Sequence, residues 1–292
     1  AAAAWMLKPV EPRQVMRFTH RLGQEAFSRT GRPVLAISRD ARRLVYVADT
    51  RLYMRNLDDP NVRPIPGTDE NPSSPFFSPD GEWVGFWSSD GSLKKIRITG
   101  GTPVELTKAG NPQGVSWGVD DTIVYAVNDG IWRVSGNGGV AEHLVKTAAG
   151  ERIHAPQMLP GGNAVLFAAT TGTGLDGWDE GRIVVLRLDR GERTVIHMGG
   201  AYPRYVSTGH IVYALKDSLL ALPFDLDTLQ ARGGPVPVVQ QVRRSIADIG
   251  IAQYAISDNG SLAYIRGGDI SRVSLALSDR TAAARRRSHT GS

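Results

Sequence analysis

A short turn motif recurs along this chain at near-constant spacing, and that recurrence restricts the fold more than any other feature. Its clearest copy is Phe76-Phe77-Ser78-Pro79-Asp80-Gly81, followed by Trp83-Val84-Gly85-Phe86-Trp87. An apolar strand end runs into a turn. Ser78 suits the first turn position, Pro79 pre-sets φ for the second, Asp80 is tolerated at the third, and Gly81 accepts a left-handed conformation. The apolar run after it begins a second strand, so the unit is a β-hairpin. Related copies surround Ser38, Gly118, Leu159, Ser207 and Ser257. With these residues and Ser78 as equivalent anchors, the steps are 40, 40, 41, 48 and 50 residues. A period near 40 of all-strand units is the signature of a β-propeller, one blade per repeat. The predicted fold is all-β: a six-bladed β-propeller with four-stranded antiparallel blades.

The blades are expected at about residues 35–66, 75–108, 115–146, 156–197 and 203–242, with the sixth beginning at Ala252. The fourth carries an insertion, 170–181, between its second and third strands. The fifth has its extra length before its last strand, at 225–235. Strand composition ends near Arg280, which leaves the sixth blade one strand short. Residues 15–22 alternate apolar and polar side chains as a half-buried strand does, yet precede the first repeat. That orphan strand is expected to supply the missing one, closing the ring and covering the last open blade edge. Loop closure opposes this only logarithmically, at about a few kcal/mol. The domain reading is 1–14 a membrane-proximal linker, 15–280 the propeller and 281–292 a disordered basic tail.

The residues just before the anchors, Ile37, Phe77, Trp117, Met158, Val206 and Ile256, are bulky and apolar, as expected where blades press face to face. Charge adds little. The formal +5 includes Arg285, Arg286 and Arg287 in a tail without acids, so the body is nearly neutral and a nucleic-acid surface is not supported. The absence of cysteine excludes disulfides, thiolate metal sites and cysteine nucleophiles.

The motif Phe77-Ser78-Pro79-Asp80-Gly81, with Gly100-Gly101-Thr102-Pro103 ahead of Leu106-Thr107, resembles the TolB-like propeller family. The chain is more closely similar to the propellers that follow the kinase and membrane helix of large bacterial serine/threonine kinases. There an Ala/Trp/Leu-rich helix end, like residues 1–7, leads into a strand like Arg17-Phe18-Thr19. The segments Arg182-Ile183-Val184-Val185-Leu186, Gly209-His210-Ile211-Val212-Tyr213-Ala214 and Pro223-Phe224-Asp225-Leu226 look like that subgroup too. The likeness spans about residues 15–265. It implies a membrane-tethered, extracytoplasmic (periplasmic) binding or sensor domain, with a hydrophobic stretch of about 20 residues upstream of Ala1. Departures from the pattern include Ala41 and Asp121 in place of the turn glycine. No kinase segment is present, so no kinase activity is assigned to these residues.

Catalytic signatures are sparse. Gly136-Asn137-Gly138-Gly139 lacks the strand-to-helix setting of a phosphate loop. No Gly-x-Ser-x-Gly elbow occurs, and the six histidines show no metal spacing. Asp176-Gly177-Trp178-Asp179-Glu180 lacks the calcium-loop pattern. The expectation is a non-enzymatic chain without cofactor or metal, a monomer that recognises a protein, a peptide or a small ligand. The competing reading is the propeller of a prolyl-oligopeptidase-like peptidase or of a metal-dependent propeller enzyme. Binding is expected on the face built by the loops between blades and between second and third strands, because these vary in length and chemistry. The candidate residues there are Trp178, Arg204, Tyr202, His154, Arg152, Asn111, Gln113, Arg243 and Arg244. Trp178 is expected to be exposed in the 170–181 insertion. Arg204 is expected where other blades place Pro75, Val115 or Pro156, with both side chains dispensable for folding.

Overall fold

The computed structural model describes residues 15–21, 31–59, 61–245, 250–267 and 272–278, with the backbone alone for 15–21 and 272–278. The expectations for 1–14 and 281–292 lie outside the described residues. Among those described, no helix is long and apolar enough to cross a membrane.

The turn motif owes its recurrence to a small hydrogen-bond network. In the second repeat Ser78 N–H donates to Trp83 O and Gly81 N–H to Ser78 O, both at 3.0 Å. The Ser78 hydroxyl donates to Asp80 Oδ1 at 2.5 Å and accepts the Trp83 N–H at 2.9 Å. Asp80 Oδ1 also accepts the Glu82 N–H at 3.0 Å. Ser38 with Asp40, and Ser257 with Asn259, repeat the arrangement. The serine and the acid or amide two residues on thus hold each other and the next strand's first amide. The fourth position is left-handed throughout, with φ of +72° at Gly81 and +88° at Gly260, and Ala41 and Asp121 adopt it at +60° and +64°. Asp121 is compensated, since its carboxylate accepts the Trp117 indole N–H at 2.8 Å.

This network has a pH signature. The Ser78 hydroxyl, and then the Glu82 amide, hold the Asp80 carboxyl below the usual carboxylate range. A folded value below the unfolded one stabilises the fold above about pH 4, and the gain disappears as pH falls through the folded value. Ser78→Ala is expected to raise the Asp80 titration toward the ordinary range. The melting-temperature gap between parent and variant should then narrow from pH 5 to pH 2. An NMR titration of Asp80 that is unchanged in the variant would contradict this.

Five antiparallel blades are built each from consecutive strands. The first is β2 (Leu35–Ile37), β3 (Arg43–Ala48), β4 (Arg51–Asn56) and β5 (Val62–Pro64). The second is β6 (Ser73–Phe77), β7 (Trp83–Trp87), β8 (Ser92–Arg97) and β9 (Val104–Lys108). The third is β10 (Val115–Trp117), β11 (Thr122–Val127), β12 (Gly130–Ser135) and β13 (Glu142–Lys146). The fourth is β14 (Arg152–Met158), β15 (Ala164–Thr170), β16 (Arg182–Arg187) and β17 (Glu192–Met198). The fifth is β18 (Ala201–Val206), β19 (His210–Leu215) and a long β20 (Ser218–Asp225). There β21 (Gln230–Ala231) and β22 (Val236–Val239) both pair with β20, which absorbs the extra length.

The remaining sheet differs from these five, because it is composite. Its order is β1 (Val15–Arg21), β25 (Arg272–Ser278), β24 (Leu262–Ile265), β23 (Tyr254–Ile256). The orphan strand pairs antiparallel with β25 from Val15↔Ser278 to Arg21↔Arg272, joining the two ends of the described chain. The uniform six-bladed reading is therefore corrected to five consecutive-strand blades plus one sheet made from both chain ends. This sheet touches both neighbours: Ala263 and Ile265 share an apolar cluster with the first blade, while Tyr254 and Leu262 share one with the fifth. Each apolar cluster lies between sheets rather than within one. Val84, Phe86, Leu44 and Tyr46 form one such seam, and Ile211, Tyr213, Leu166 and Val185 another. Burial of that kind, at about 1.5–3 kcal/mol per large side chain, is what holds blades face to face.

Two local expectations are corrected. The 170–181 insertion is not an open loop, since it contains a short helix, α1 (Gly174–Asp179). The fifth repeat is also in a different register. Gly209 N–H donates to Val206 O, so Val206, not Ser207, is the anchor. Pro203 then matches Pro75 and Pro156, Tyr205 takes the packing position, and Arg204 falls at the level of Phe76, Ser116 and Gln157.

Candidate ligand-binding channel

The inner strands β2, β6, β10, β14, β18 and β23 surround a central channel. It widens into a cavity of about 220 Å³ on the face of the hairpin turns. Its walls are the residues just before each anchor. Ile37, Phe77, Trp117, Met158, Tyr205 and Ile256 form an apolar and aromatic ring, and Arg204, Gln157 and Ser116 supply polar groups. The rim is made by the turns, with Arg39, Val119, Asp120, Pro160, Ser207 and Asp258. Arg39 Nε is paired with Asp258 Oδ2 at 2.6 Å, and the Ser207 hydroxyl donates to Asp258 O. Val119 is 63% exposed at this rim although apolar.

The inner strands are tied together toward the opposite end. Ser74, Gly114, Ala155 and Tyr202, one residue before Pro75, Val115, Pro156 and Pro203, have φ of +52°, +115°, +53° and +55°. At Ser74, Ala155 and Tyr202 this twist turns the N–H group toward the previous blade. Ser74 N–H donates to Pro33 O at 3.0 Å and Ala155 N–H to Gln113 O at 2.8 Å. Tyr202 N–H instead donates to the His154 Nε2 at 3.2 Å. Gln253 makes the equivalent link with its side chain, accepting the Val34 N–H and donating to Arg32 O. Arg32 straps this end: its guanidinium lies 3.8 Å over the Trp87 ring and donates to Pro112 O at 2.9 Å. Burial pulls Arg32 down to about 10, still cationic at neutral pH. The channel is thus strapped at the inter-blade-loop face and open at the turn face.

Several candidate residues turn out to be packing elements. Trp178 is fully buried, which corrects its expected exposure. Its ring lies 3.8 Å from the His154 ring, and the Arg152 guanidinium sits 5.1 Å from the indole as a cation–π partner. His154 is buried too, and accepting the Tyr202 N–H fixes its Nε2 as unprotonated. Tyr202 packs edge-on against His154 and Tyr254. Burial raises the Tyr202 hydroxyl, with the nearby Arg204 cation opposing it, and burial raises Tyr254 further. Tyr254 accordingly stays a donor, to Tyr202 O at 2.5 Å and Val212 O at 3.0 Å. Arg244 is a strut: it pairs with Asp179 Oδ1 at 2.9 Å and donates to Lys216 O and Gly250 O. Arg243 is half-buried, its backbone bonded to Ile265 and Gln253.

Asn111 alone of the nine is fully on the surface. It borders a separate groove of about 380 Å³ on the inter-blade-loop face, with Tyr125, Asn128 and Trp132. Gln113 is nearby, donating to Asn128 Oδ1 at 3.0 Å. Of the candidates, Tyr202 and Arg204 line the channel cavity, and the charged one is Arg204. Its Nη1 donates to Ala155 O at 2.9 Å and Pro203 O at 3.0 Å, and its guanidinium lies 4.6 Å from the Tyr202 ring. Sequence reasoning missed Trp117, Tyr205, Gln157 and the Arg39–Asp258 pair, all of which sit beside the repeat anchors that had already been found. Among the described residues no group of three or more His, Cys, Asp or Glu side chains converges as a metal site.

Comparison with solved structures matches this architecture. A candidate TolB from Agrobacterium tumefaciens superimposes with a TM-score of 0.64 at 16% identity, covering 91% of this chain and 99% of that one. The fold is a TolB-like β-propeller. An oligogalacturonate lyase from Vibrio parahaemolyticus aligns at 0.53 and 13% identity, over 82% of this chain and 75% of its own. A chain of a mitotic checkpoint complex aligns at 0.59 and 14%, over 93% and 95%. No family model and no curated protein sequence matches the chain. At such identities the propeller fold is shared while the activity is free to differ.

Proposed function

We propose that this protein is a non-catalytic binding propeller that accepts an extended peptide segment of a partner protein in the channel mouth on the hairpin-turn face. The observation that carries this is the cavity itself, ringed by inner strands, with half-buried Trp117 and Tyr205 in its wall and exposed Val119 on its rim. A concave apolar surface with a few fixed polar groups suits recognition, and aromatic and Arg side chains concentrate binding energy. The likeness to a TolB and to a chain from a multi-protein complex supports a binding role.

The same proposal takes the composite sheet as the sixth blade, supported by its packing against both neighbours. It also keeps the domain as the extracytoplasmic part of a membrane-tethered signalling protein, on the likeness of residues 1–19 to kinase-linked propellers.

The test is to pan a phage-displayed random-peptide library against the protein and rank the selected peptides on variants. Val119→Glu places a charged side chain at an exposed rim position and is expected to weaken binding at least tenfold without loss of fold. Asn111→Ala, on the other face, is expected to change nothing. Peptides that ignore Val119→Glu and are lost with Asn111→Ala would move the site to the opposite groove. Cleavage of oligosaccharides by the purified protein would overturn the non-catalytic reading.

A further inference from the structure

We infer that the channel selects a carboxylate, captured by Arg204; this rests on the channel being the binding site. The other charged residues around the cavity are Arg39, Asp120 and Asp258. Arg39 is paired with Asp258 at the rim, and Asp120 accepts the Thr122 N–H at 3.2 Å. Arg204, half-buried within the wall, has no carboxylate partner among the described residues.

Its geometry is already fixed. Nη1 is committed to two backbone carbonyls, Ala155 O at 2.9 Å and Pro203 O at 3.0 Å. One guanidinium face is covered by Tyr202 at 4.6 Å. A guanidinium carries five N–H donors in a rigid plane; two carbonyls and the Tyr202 hydroxyl take three of them, which leaves two N–H donors for a ligand. Two such donors in one plane match the two oxygens of a carboxylate. Because two carbonyls and an aromatic face hold the side chain in place before a ligand arrives, little rotamer entropy remains to be lost on binding. Met158, Tyr205 and Ile256 around it exclude part of the water that would otherwise screen the pair. The ligand class is therefore an acid with a short apolar portion: a peptide's terminal carboxylate or an Asp or Glu side chain within the inserted segment.

Butyrate and butyramide, which differ in the charged group alone, serve as probes, with the protein labelled at Met and Ile methyls for NMR. Butyrate is expected to shift the Met158 and Ile256 methyls saturably, and butyramide to bind about tenfold more weakly. Arg204→Gln should reduce butyrate to the butyramide level, and Arg204→Lys should restore binding in part, because charge returns without the two donors in one plane. Melting temperatures show whether the variants fold. If Arg204→Gln does not, the butyrate-to-butyramide ratio in the parent protein decides. Equal binding of the two probes at the channel methyls would overturn the carboxylate selection and leave the binding channel standing. Shifts confined to residues outside the channel, or none with either probe, would overturn both.

Discussion

Trp178→Ala is expected to cost about 3–5 kcal/mol of stability, the range for truncating a large aromatic in a packed interior. The side chain is fully buried although its surrounding sequence, Gly-Leu-Asp-Gly-Trp-Asp-Glu, is rich in turn formers. The helix α1 folds back over the fourth blade so that the indole lies tilted against His154, packs with Ala168 and Ala201, and is backed by Gly250. Gly250 is left-handed at φ +64°, and a Cβ there would collide with the Trp178 ring. The loss would propagate, because His154 links to the Tyr202 amide of the next blade and the adjacent Asp179 anchors Arg244. Urea denaturation followed by far-UV circular dichroism measures the cost. A loss below about 1 kcal/mol would return Trp178 to the surface role its composition suggests.

Removal of residues 1–21 is expected to produce aggregation or a fall in melting temperature of about 10 °C or more. For a domain of this size about 2–4 °C corresponds to 1 kcal/mol. β1 pairs with β25 from Val15↔Ser278 to Arg21↔Arg272, whereas β24 holds β25 from Leu262↔Ala276 to Ile265↔Val273 alone. Without β1, a long unpaired edge of β25 is presented to other chains. Size-exclusion chromatography and differential scanning fluorimetry read the outcome, and a synthetic peptide of residues 13–24 added in trans should restore part of the stability. A truncated monomer with an unchanged melting temperature would mean that the pairing does not close the ring.

The hairpins were legible because their cause is local: a serine, an acid or amide two residues on, and a residue able to take positive φ. The one register error shows which of these governs. Ser207 looks like Ser78, but the backbone requires the left-handed residue at the fourth position. Gly81, Gly162, Gly209 and Gly260 occupy it at +72°, +72°, +80° and +88°. Counting back from Gly209 gives Val206, so the glycine was the better anchor and the serine an accessory. The composite sheet was legible too, because a strand missing at one end and a surplus strand at the other imply each other.

The site was less legible. Loops of varied length and chemistry suggested recognition on the inter-blade face. In the structure much of that variety serves packing, as with Trp178 against His154 and Arg244 against Asp179, contacts between segments far apart in the chain. Uniform turns suggested mere scaffolding, yet their common direction puts Arg39, Val119, Asp120 and Asp258 around one opening. Which residues surround a cavity depends on ring closure, and no single repeat carries that information. Arg204, expected at the level of Pro75, sits one position further along, at the level of Phe76 and Gln157, and that position lines the channel.

The most direct test of binding in the turn-face channel is a hydrogen-exchange footprint of the protein with its best library-selected peptide. Slowed exchange is expected in residues 115–121, 158–164, 204–209 and 256–261, which combine wall and rim. Residues 109–113 and 170–181 should exchange as they do in the free protein. Protection confined to 109–113 and 128–132, with the turns unchanged, would contradict the channel as the binding site and place recognition in the groove beside Asn111.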